Sequence, residues 1–160
     1  MAELCLGTVQ FGMKYGINNT LGQPSEENVF EMLDTAFENG IRVIDTARAY
    51  GTAETVLGRY FASGKNVDSV KIISKLRPNI IDENETDICG AVRRECEETL
   101  DRLHVKQLNG YLLHTPEYIY QPKIIETLRM LKEEKLVEHI GVSIYELSEG
   151  YAALKTEGID

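Results

Sequence analysis

The sequence lacks the paired cysteines and the long hydrophobic runs that characterise secreted and membrane proteins. Its three cysteines form no CxxC pair, and an odd number of thiols is typical of a reducing compartment. The N-terminal residues MAELCLGTV contain neither a basic segment nor a long apolar run, so no signal peptide is predicted. No stretch approaches the roughly 20 apolar residues that a membrane-spanning helix requires. We therefore expect a cytoplasmic protein with no membrane partner.

Basic residues are also in the minority, since 17 Lys and Arg against 26 Asp and Glu give a net charge of -9 at pH 7. This balance argues against nucleic acid as the main partner, although it leaves room for a local basic pocket. The length of 160 residues suits one domain, and the hydrophobic content of 42% is ordinary for a globular protein. Residues 1–160 are therefore predicted to form a single domain.

Short apolar runs alternate with longer amphipathic ones along the chain. The runs predicted to be strands are Leu4–Thr8, Ile41–Thr46, Val70–Leu76, Leu108–His114 and Glu138–Ser143. Helical spacing predicts helices between Ser25 and Asn39, over Glu54–Phe61, from Ile88 to Leu103, from Pro122 onward and from near Leu147. Cys89 and Cys96, seven residues apart, would share one face of the third helix, and the free thiols are expected to pack as small buried groups.

This alternation predicts right-handed βαβ crossovers and a parallel sheet. A closed (β/α)8 barrel and an open doubly wound sheet are the two candidate architectures. A dinucleotide-binding open sheet would carry GxGxxG after its first strand, whereas this chain has LGTVQFGMKYG, with glycines at 7, 12 and 16. The predicted fold is therefore α/β, of the parallel (β/α) TIM-barrel type, with about five βα units and so a partial barrel.

Acid–base groups follow three neighbouring strands of the predicted sheet. The second strand ends at Asp45, with Tyr50 in the loop beyond it, while Lys75 lies near the end of the third strand and His114 ends the fourth. Because barrel enzymes place catalytic groups at the carboxyl ends of strands, these four side chains are expected to lie together. Each also has an ordinary structural alternative, with Asp45 as a turn former, Lys75 as a surface amine and His114 as the end of a strand.

Together the four groups would form a proton-donor site. Asp45 would keep a desolvated Lys75 charged, and the ammonium would stabilise the deprotonated form of Tyr50. His114 would hydrogen-bond the oxygen of a substrate and hold it against the phenol. An oxygen that needs such a proton belongs to a carbonyl receiving hydride, and since no side chain supplies hydride, a nicotinamide cofactor is implied. No metal site is predicted.

These motifs resemble those of the aldo-keto reductase family. IDTARAYG is similar to the most recognisable signature of that family, and ISKL and LLHTP follow in the order of the family. The resemblance implies that Asp45, Tyr50, Lys75 and His114 fill the four catalytic positions, with Tyr50 as the general acid. It also implies reduction of an aldehyde or ketone with NADPH or NADH.

The resemblance further implies contacts with the cofactor. LGT matches the segment that contacts cofactor and substrate, which points to Gly7 and Thr8, and Asp45 is placed with them. GVS matches the segment that binds the nicotinamide carboxamide, which points to Ser143. The family usually has asparagine at the next position, whereas this chain has Ile144.

Two charged residues near Tyr50 have more open roles. Arg48 lies in the same loop, and a contact with an anionic substrate and a surface charge are equally good interpretations. Glu54 is interpreted as an acid at the start of a helix, where the helix dipole favours it.

The five predicted βα units are fewer than the eight of a closed barrel. In the family, the later strands hold the adenosine and pyrophosphate of the cofactor. The chain is therefore expected to be either a carbonyl reductase of truncated length, which binds NADPH weakly or not at all, or a non-catalytic half-barrel that serves as an assembly or binding module. Open strand edges predict self-association as a dimer. The side chains predicted to form an apolar barrel-facing patch are Leu4, Leu6, Ile41, Val43, Ile73 and Leu113.

Overall fold

The computed structural model describes residues 3–65, 69–81 and 86–160. Within these ranges, five parallel strands form one sheet in which the spatial order follows the chain order. The strands are β1 (Cys5–Gly7), β2 (Val43–Asp45), β3 (Lys71–Leu76), β4 (Leu108–Leu113) and β5 (Val137–Val142). The helices are α1 (Val9–Gly12), α2 (Glu26–Glu38), α3 (Ala53–Ala62), α4 (Ile88–Leu103), α5 (Pro122–Glu133) and α6 (Leu147–Ala153), with a 3-10 helix at Pro116–Tyr120.

The predicted α/β fold with about five βα units is confirmed. Each strand predicted from the sequence has a counterpart whose ends differ by at most two residues. Helix α1 and the 3-10 helix were not predicted, because four or five residues are too few to show a helical period. Among the described residues, no helix is long and apolar enough to cross a membrane.

Local chemistry sets the ends of the longer helices. Ser25 caps α2, since its hydroxyl accepts the backbone N–H of Asn28 at 3.3 Å. The same helix ends before Gly40, whose φ of +84° is a conformation that glycine adopts readily. Pro122 opens α5 at a position where its missing N–H costs nothing.

The hydrophobic core lies between the sheet and the helices. Leu113 and Tyr111 of β4 are fully buried in this core, so the prediction that Leu113 faces the barrel interior is wrong. The strand LNGYLL is apolar on both faces, so its sequence does not show which residues face the helices and which face the barrel interior. The prediction is also wrong for Leu6, since it pairs with Ile44 and packs against the same core, whereas Val43 and Ile73 share the face of Asp45 and Lys75 as predicted. The apolar barrel-facing patch is thus smaller than predicted.

The cysteines differ in exposure. Cys96 is buried in α4, and burial raises the pKa of its thiol to about 12. The prediction of buried thiols is wrong for Cys5 and Cys89, which are exposed. Cys5 lies on the edge strand β1, and Cys89 is at the start of α4, before the first buried residue of that helix.

Candidate active site

The sheet brings Asp45 and Lys75 together at the carboxyl ends of neighbouring strands. Asp45 lies opposite Ile73 in the parallel register, so Lys75, two residues further along β3, projects from the same face. Its Nζ atom donates to Oδ1 of Asp45 at 2.6 Å and to the carbonyl oxygen of Thr46 at 2.8 Å. The Lys75 side chain is 6% exposed and that of Asp45 is 31% exposed. The carboxylate therefore serves as the charge partner of a desolvated ammonium.

The hydroxyl of Tyr50 is the third member of the group. The Nζ atom of Lys75 lies 3.2 Å from the hydroxyl oxygen and 4.8 Å from the centroid of the Tyr50 ring. A positive charge at this distance favours negative charge on the phenol oxygen. The arrangement can therefore support release of the hydroxyl proton to a neighbouring acceptor.

A close approach to α1 fixes the loop that carries Tyr50. A Cβ atom at Gly12 would lie 1.7 Å from the carbonyl oxygen of Tyr50, and one at Gly51 would lie 2.3 Å from the carbonyl oxygen of Gly12. The backbone N–H of Thr52 donates to that same Gly12 oxygen at 3.2 Å. Glycine at both positions lets the loop lie against α1 and so determines where Tyr50 leaves the backbone.

His114 stands directly after β4 and faces the phenol. Its ring is perpendicular to that of Tyr50, with an interplanar angle of 85° and centroids 5.9 Å apart. Its Nδ1 atom is buried and has no hydrogen-bond partner among the described residues. Partial burial lowers the pKa of His114, the charge of Lys75 lowers it further, and Asp45 opposes the shift. A neutral imidazole therefore lies beside the phenol at neutral pH.

The residues predicted to contact the cofactor lie along the same edge of the sheet. Gly7 pairs with Asp45, and the space where its Cβ would be is open. Thr8 is fully buried, and its hydroxyl donates to the carbonyl oxygen of Asp45 at 3.0 Å, so it fastens β1 to β2. The backbone N–H of Ser143 donates to the carbonyl oxygen of Leu113 at 2.9 Å, which places Ser143 beside the end of β4.

Arg48 has a different neighbourhood. Its Nε atom lies 3.7 Å from Oε1 of the buried Glu95, and Arg77 donates to the other carboxylate oxygen at 2.8 Å. These three residues line a cavity of about 400 Å³, whereas Tyr50 and His114 lie outside that lining. The structure does not bring Arg48 into contact with the acid–base group, and its substrate role stays a prediction.

Sequence reasoning missed a buried polar network behind the sheet. Glu54 lies in the first turn of α3 as predicted, yet the residue is only 2% exposed. Its Oε1 accepts the Ser74 hydroxyl at 2.7 Å and its Oε2 accepts Nε of Arg102 at 2.8 Å. These partners are 20 and 48 residues away in sequence, so no local spacing could have revealed them.

Comparison with known proteins gives consistent matches. The sequence profile of the aldo/keto reductase family matches residues 3–160. An uncharacterized oxidoreductase of Bacillus subtilis is 31% identical over 127 residues, which are 71% of this chain and 36% of that protein. An aldo-keto reductase from Klebsiella pneumoniae, solved in complex with NADPH, has a TM-score of 0.69 at 27% identity over 94% of this chain and 48% of its own.

A Pseudomonas aeruginosa protein assigned to the aldo-keto reductases gives a TM-score of 0.79 at 28% identity, over 97% of this chain and 61% of its own. The chain thus spans between 36% and 61% of the length of these relatives. The family profile covers nearly the whole sequence, and the parallel sheet superimposes on members of the family. The resemblance predicted from the motifs is confirmed, and the chain belongs to the aldo/keto reductase family.

Proposed function

We propose that the protein reduces the carbonyl group of an aldehyde or ketone with hydride from NADPH or NADH and a proton from Tyr50. The observation that carries this proposal is the contact of the Lys75 ammonium with both the Asp45 carboxylate and the Tyr50 hydroxyl. The NADPH bound by the Klebsiella relative supports the choice of cofactor.

The edge of the sheet beside Asp45 fits the nicotinamide end of such a cofactor. Gly7 leaves open space there, because a Cβ at that position would meet none of the described residues within 4 Å. We assign the contacts with this end to Gly7, Asp45 and Ser143, with Thr8 fastening the end of β1 beside them. A bound nicotinamide supplies hydride to the carbonyl carbon.

The side chains of the site supply the proton and stabilise the charge that remains. The Tyr50 hydroxyl gives its proton to the carbonyl oxygen as that oxygen gains the electron pair of the C=O bond, which yields the alcohol. Lys75 stabilises the phenolate that remains, and Asp45 keeps Lys75 charged. The neutral His114 is the group that we propose to hydrogen-bond the substrate oxygen and orient it.

Tyr50→Phe tests this proposal, because it removes the proton donor and keeps the ring. In a complete version of this protein, supplied with NADPH and an aromatic aldehyde, the decrease of NADPH absorbance should slow by at least about 10²–10⁴-fold, while affinity for NADPH should barely change. Tyr120→Phe, at a side chain that is 69% exposed, is the matched control and should keep full turnover. Near-normal turnover of Tyr50→Phe would show that another group donates the proton.

We also propose that residues 1–160 act as one domain, the N-terminal portion of a barrel, which self-associates. Among the described residues, β1 and β5 are the two edge strands of the sheet. Next to β5, apolar side chains line an open cavity of about 410 Å³. The exposed members of this surface, which we name the α6 surface, are Ile144, Leu147, Tyr151 and Leu154. An exposed apolar surface beside an edge strand favours contact with a second copy.

The alternative function is that of a protein that assembles with a second copy but catalyses no reaction. If NADPH does not bind and no carbonyl is reduced, a non-catalytic half-barrel that serves assembly or binding is the better description. We further propose a small-molecule substrate, no nucleic acid partner and a cytoplasmic location. The free thiols and the net charge of -9 support those assignments.

A further inference from the structure

The loop that carries Tyr50 passes directly into α3. The backbone N–H of Ala53 donates to the carbonyl oxygen of Tyr50 at 3.1 Å, so the loop closes into the first turn of the helix. Glu54 belongs to this first turn, and its Oε1 accepts the hydroxyl of Ser74 at 2.7 Å. Ser74 immediately precedes Lys75 on β3. This one hydrogen bond therefore joins the segment that carries the phenol to the strand that carries the ammonium.

The Glu54 carboxylate is held in a fixed orientation. Its side chain is 3% exposed, and its second oxygen accepts Nε of Arg102 at 2.8 Å. A carboxylate so deeply buried needs a charged partner, and Arg102 of α4 provides one. The same guanidinium donates to the Thr99 hydroxyl at 3.1 Å, which fixes the arginine in turn. Both oxygens of Glu54 are thus engaged, one toward α4 and one toward β3.

We propose that Glu54 is a positioning residue, which ties the first turn of α3 to Ser74 and thereby sets the distance between the Tyr50 hydroxyl and the Lys75 ammonium. The inference rests on the proposed role of Tyr50 as proton donor. The Tyr50 hydroxyl and the Lys75 ammonium are in contact at 3.2 Å. A displacement of a reacting group by about 1 Å can lower the rate of a reaction by about 10²-fold. The approach of Gly12 holds the loop from one side, and the Glu54–Ser74 hydrogen bond holds it from the other.

Ser74→Ala is the cleanest test, because it removes the link to β3 and leaves the pair of Glu54 with Arg102 intact. Thr99→Val is the matched control. It also deletes a fully buried hydroxyl from the same network, but Thr99 lies on α4 and does not join α3 to β3. Both variants should lose stability to a similar extent, so that a difference in the active site is not a general effect of destabilisation.

The readout is the titration of His114 by NMR, with its signal assigned through His114→Asn. His114 packs against the Tyr50 ring, and the charged groups that face it are Lys75 and Asp45. A loosened Tyr50 loop admits water to the imidazole, so Ser74→Ala should raise the pKa of His114 toward its ordinary value of about 6.5. Thr99→Val should leave the titration where it is in the wild type.

Equal His114 titrations in Ser74→Ala and in the wild type would overturn the proposal, whatever the stability. Ser74→Cys, which keeps a side chain of similar shape with a weak donor, replaces Ser74→Ala if that variant does not fold. The titration needs neither cofactor nor turnover, so its outcome is independent of whether the chain reduces carbonyls. Where turnover is measurable, Ser74→Ala should lower kcat about 10-fold or more and leave KM for NADPH unchanged.

Discussion

The Nζ atom of Lys75 on β3 lies 2.6 Å from Oδ1 of Asp45 on β2, and this ion pair joins two neighbouring strands at their carboxyl ends. Because the ammonium is almost fully buried, it would be an uncompensated charge without the carboxylate. The pair therefore contributes to folding as well as to the chemistry proposed for Tyr50. Stability and activity should respond together when either partner is changed.

A double-mutant cycle with Asp45→Asn and Lys75→Met should show a coupling of about 1–3 kcal/mol in the free energy of unfolding by urea. This is less than the roughly 3–5 kcal/mol lost on breaking a fully buried pair, since water screens the partly exposed carboxylate. The exposed pair of Asp34 with Lys65, at 2.8 Å, is the control and should couple more weakly, because water and salt screen it. Equal coupling in the two cycles would show that burial adds nothing to the Asp45–Lys75 pair.

The lowered pKa of His114 predicts a pH dependence of stability. In the unfolded chain the imidazole titrates near about 6.5, and in the folded chain it titrates at a lower pH because burial and Lys75 oppose its charge. Below pH about 6.5 the unfolded state therefore binds a proton that the folded state does not, and the free energy of unfolding falls as the pH decreases.

Urea unfolding between about pH 7 and 5 should show this loss in the wild type and a flatter profile in His114→Asn. The carboxylates with lowered pKa values, such as Asp160 and Glu149, lose their contribution at more acidic pH and do not overlap with this window. Identical slopes for the wild type and His114→Asn would contradict the prediction.

The sequence was sufficient for the strand ends and insufficient for the partners of charged side chains. The run VKIISKL is short and rich in β-branched residues, which favours a strand, so the neighbourhood of Asp45 and Lys75 follows from the order of strands in a parallel sheet. Arg48 pairs with Glu95 because that acid of α4 packs beneath the loop, and this contact can be seen only in the tertiary structure. Glu54 was interpreted from the helix dipole alone, because Ser74 and Arg102 are remote in sequence.

Gly12→Ala should destabilise the protein by more than the about 1–3 kcal/mol typical of an overfilled core. The added Cβ would lie 1.7 Å from the Tyr50 carbonyl oxygen and 2.4 Å from the Ala53 nitrogen, and backbone cannot move aside as a flexible side chain can. Gly7→Ala is the control, since its Cβ would have no neighbour within 4 Å in the part of the chain that the structure describes, and it should change the thermal midpoint little. A Gly12→Ala variant as stable as the wild type would mean that the loop and α1 separate at little cost.

The last prediction concerns self-association through the α6 surface. Leu147 and Leu154 are 83% and 86% exposed, and they lie beside the edge strand β5. Both backbone groups of Ile140 on β5 are already paired with Asp160, whose N–H donates to the Ile140 carbonyl oxygen at 2.9 Å, so we expect the second copy to contact the apolar side chains of the α6 surface. Leu154→Lys places a charge on the apolar surface and should shift the sedimentation profile from dimer to monomer at micromolar concentration. Leu21→Lys, at a side chain that is 96% exposed in the loop between α1 and α2, adds the same charge elsewhere and should leave the dimer intact. A wild-type chain that sediments as a monomer would contradict self-association itself, and a dimer that survives Leu154→Lys would assign the contact to another part of the surface.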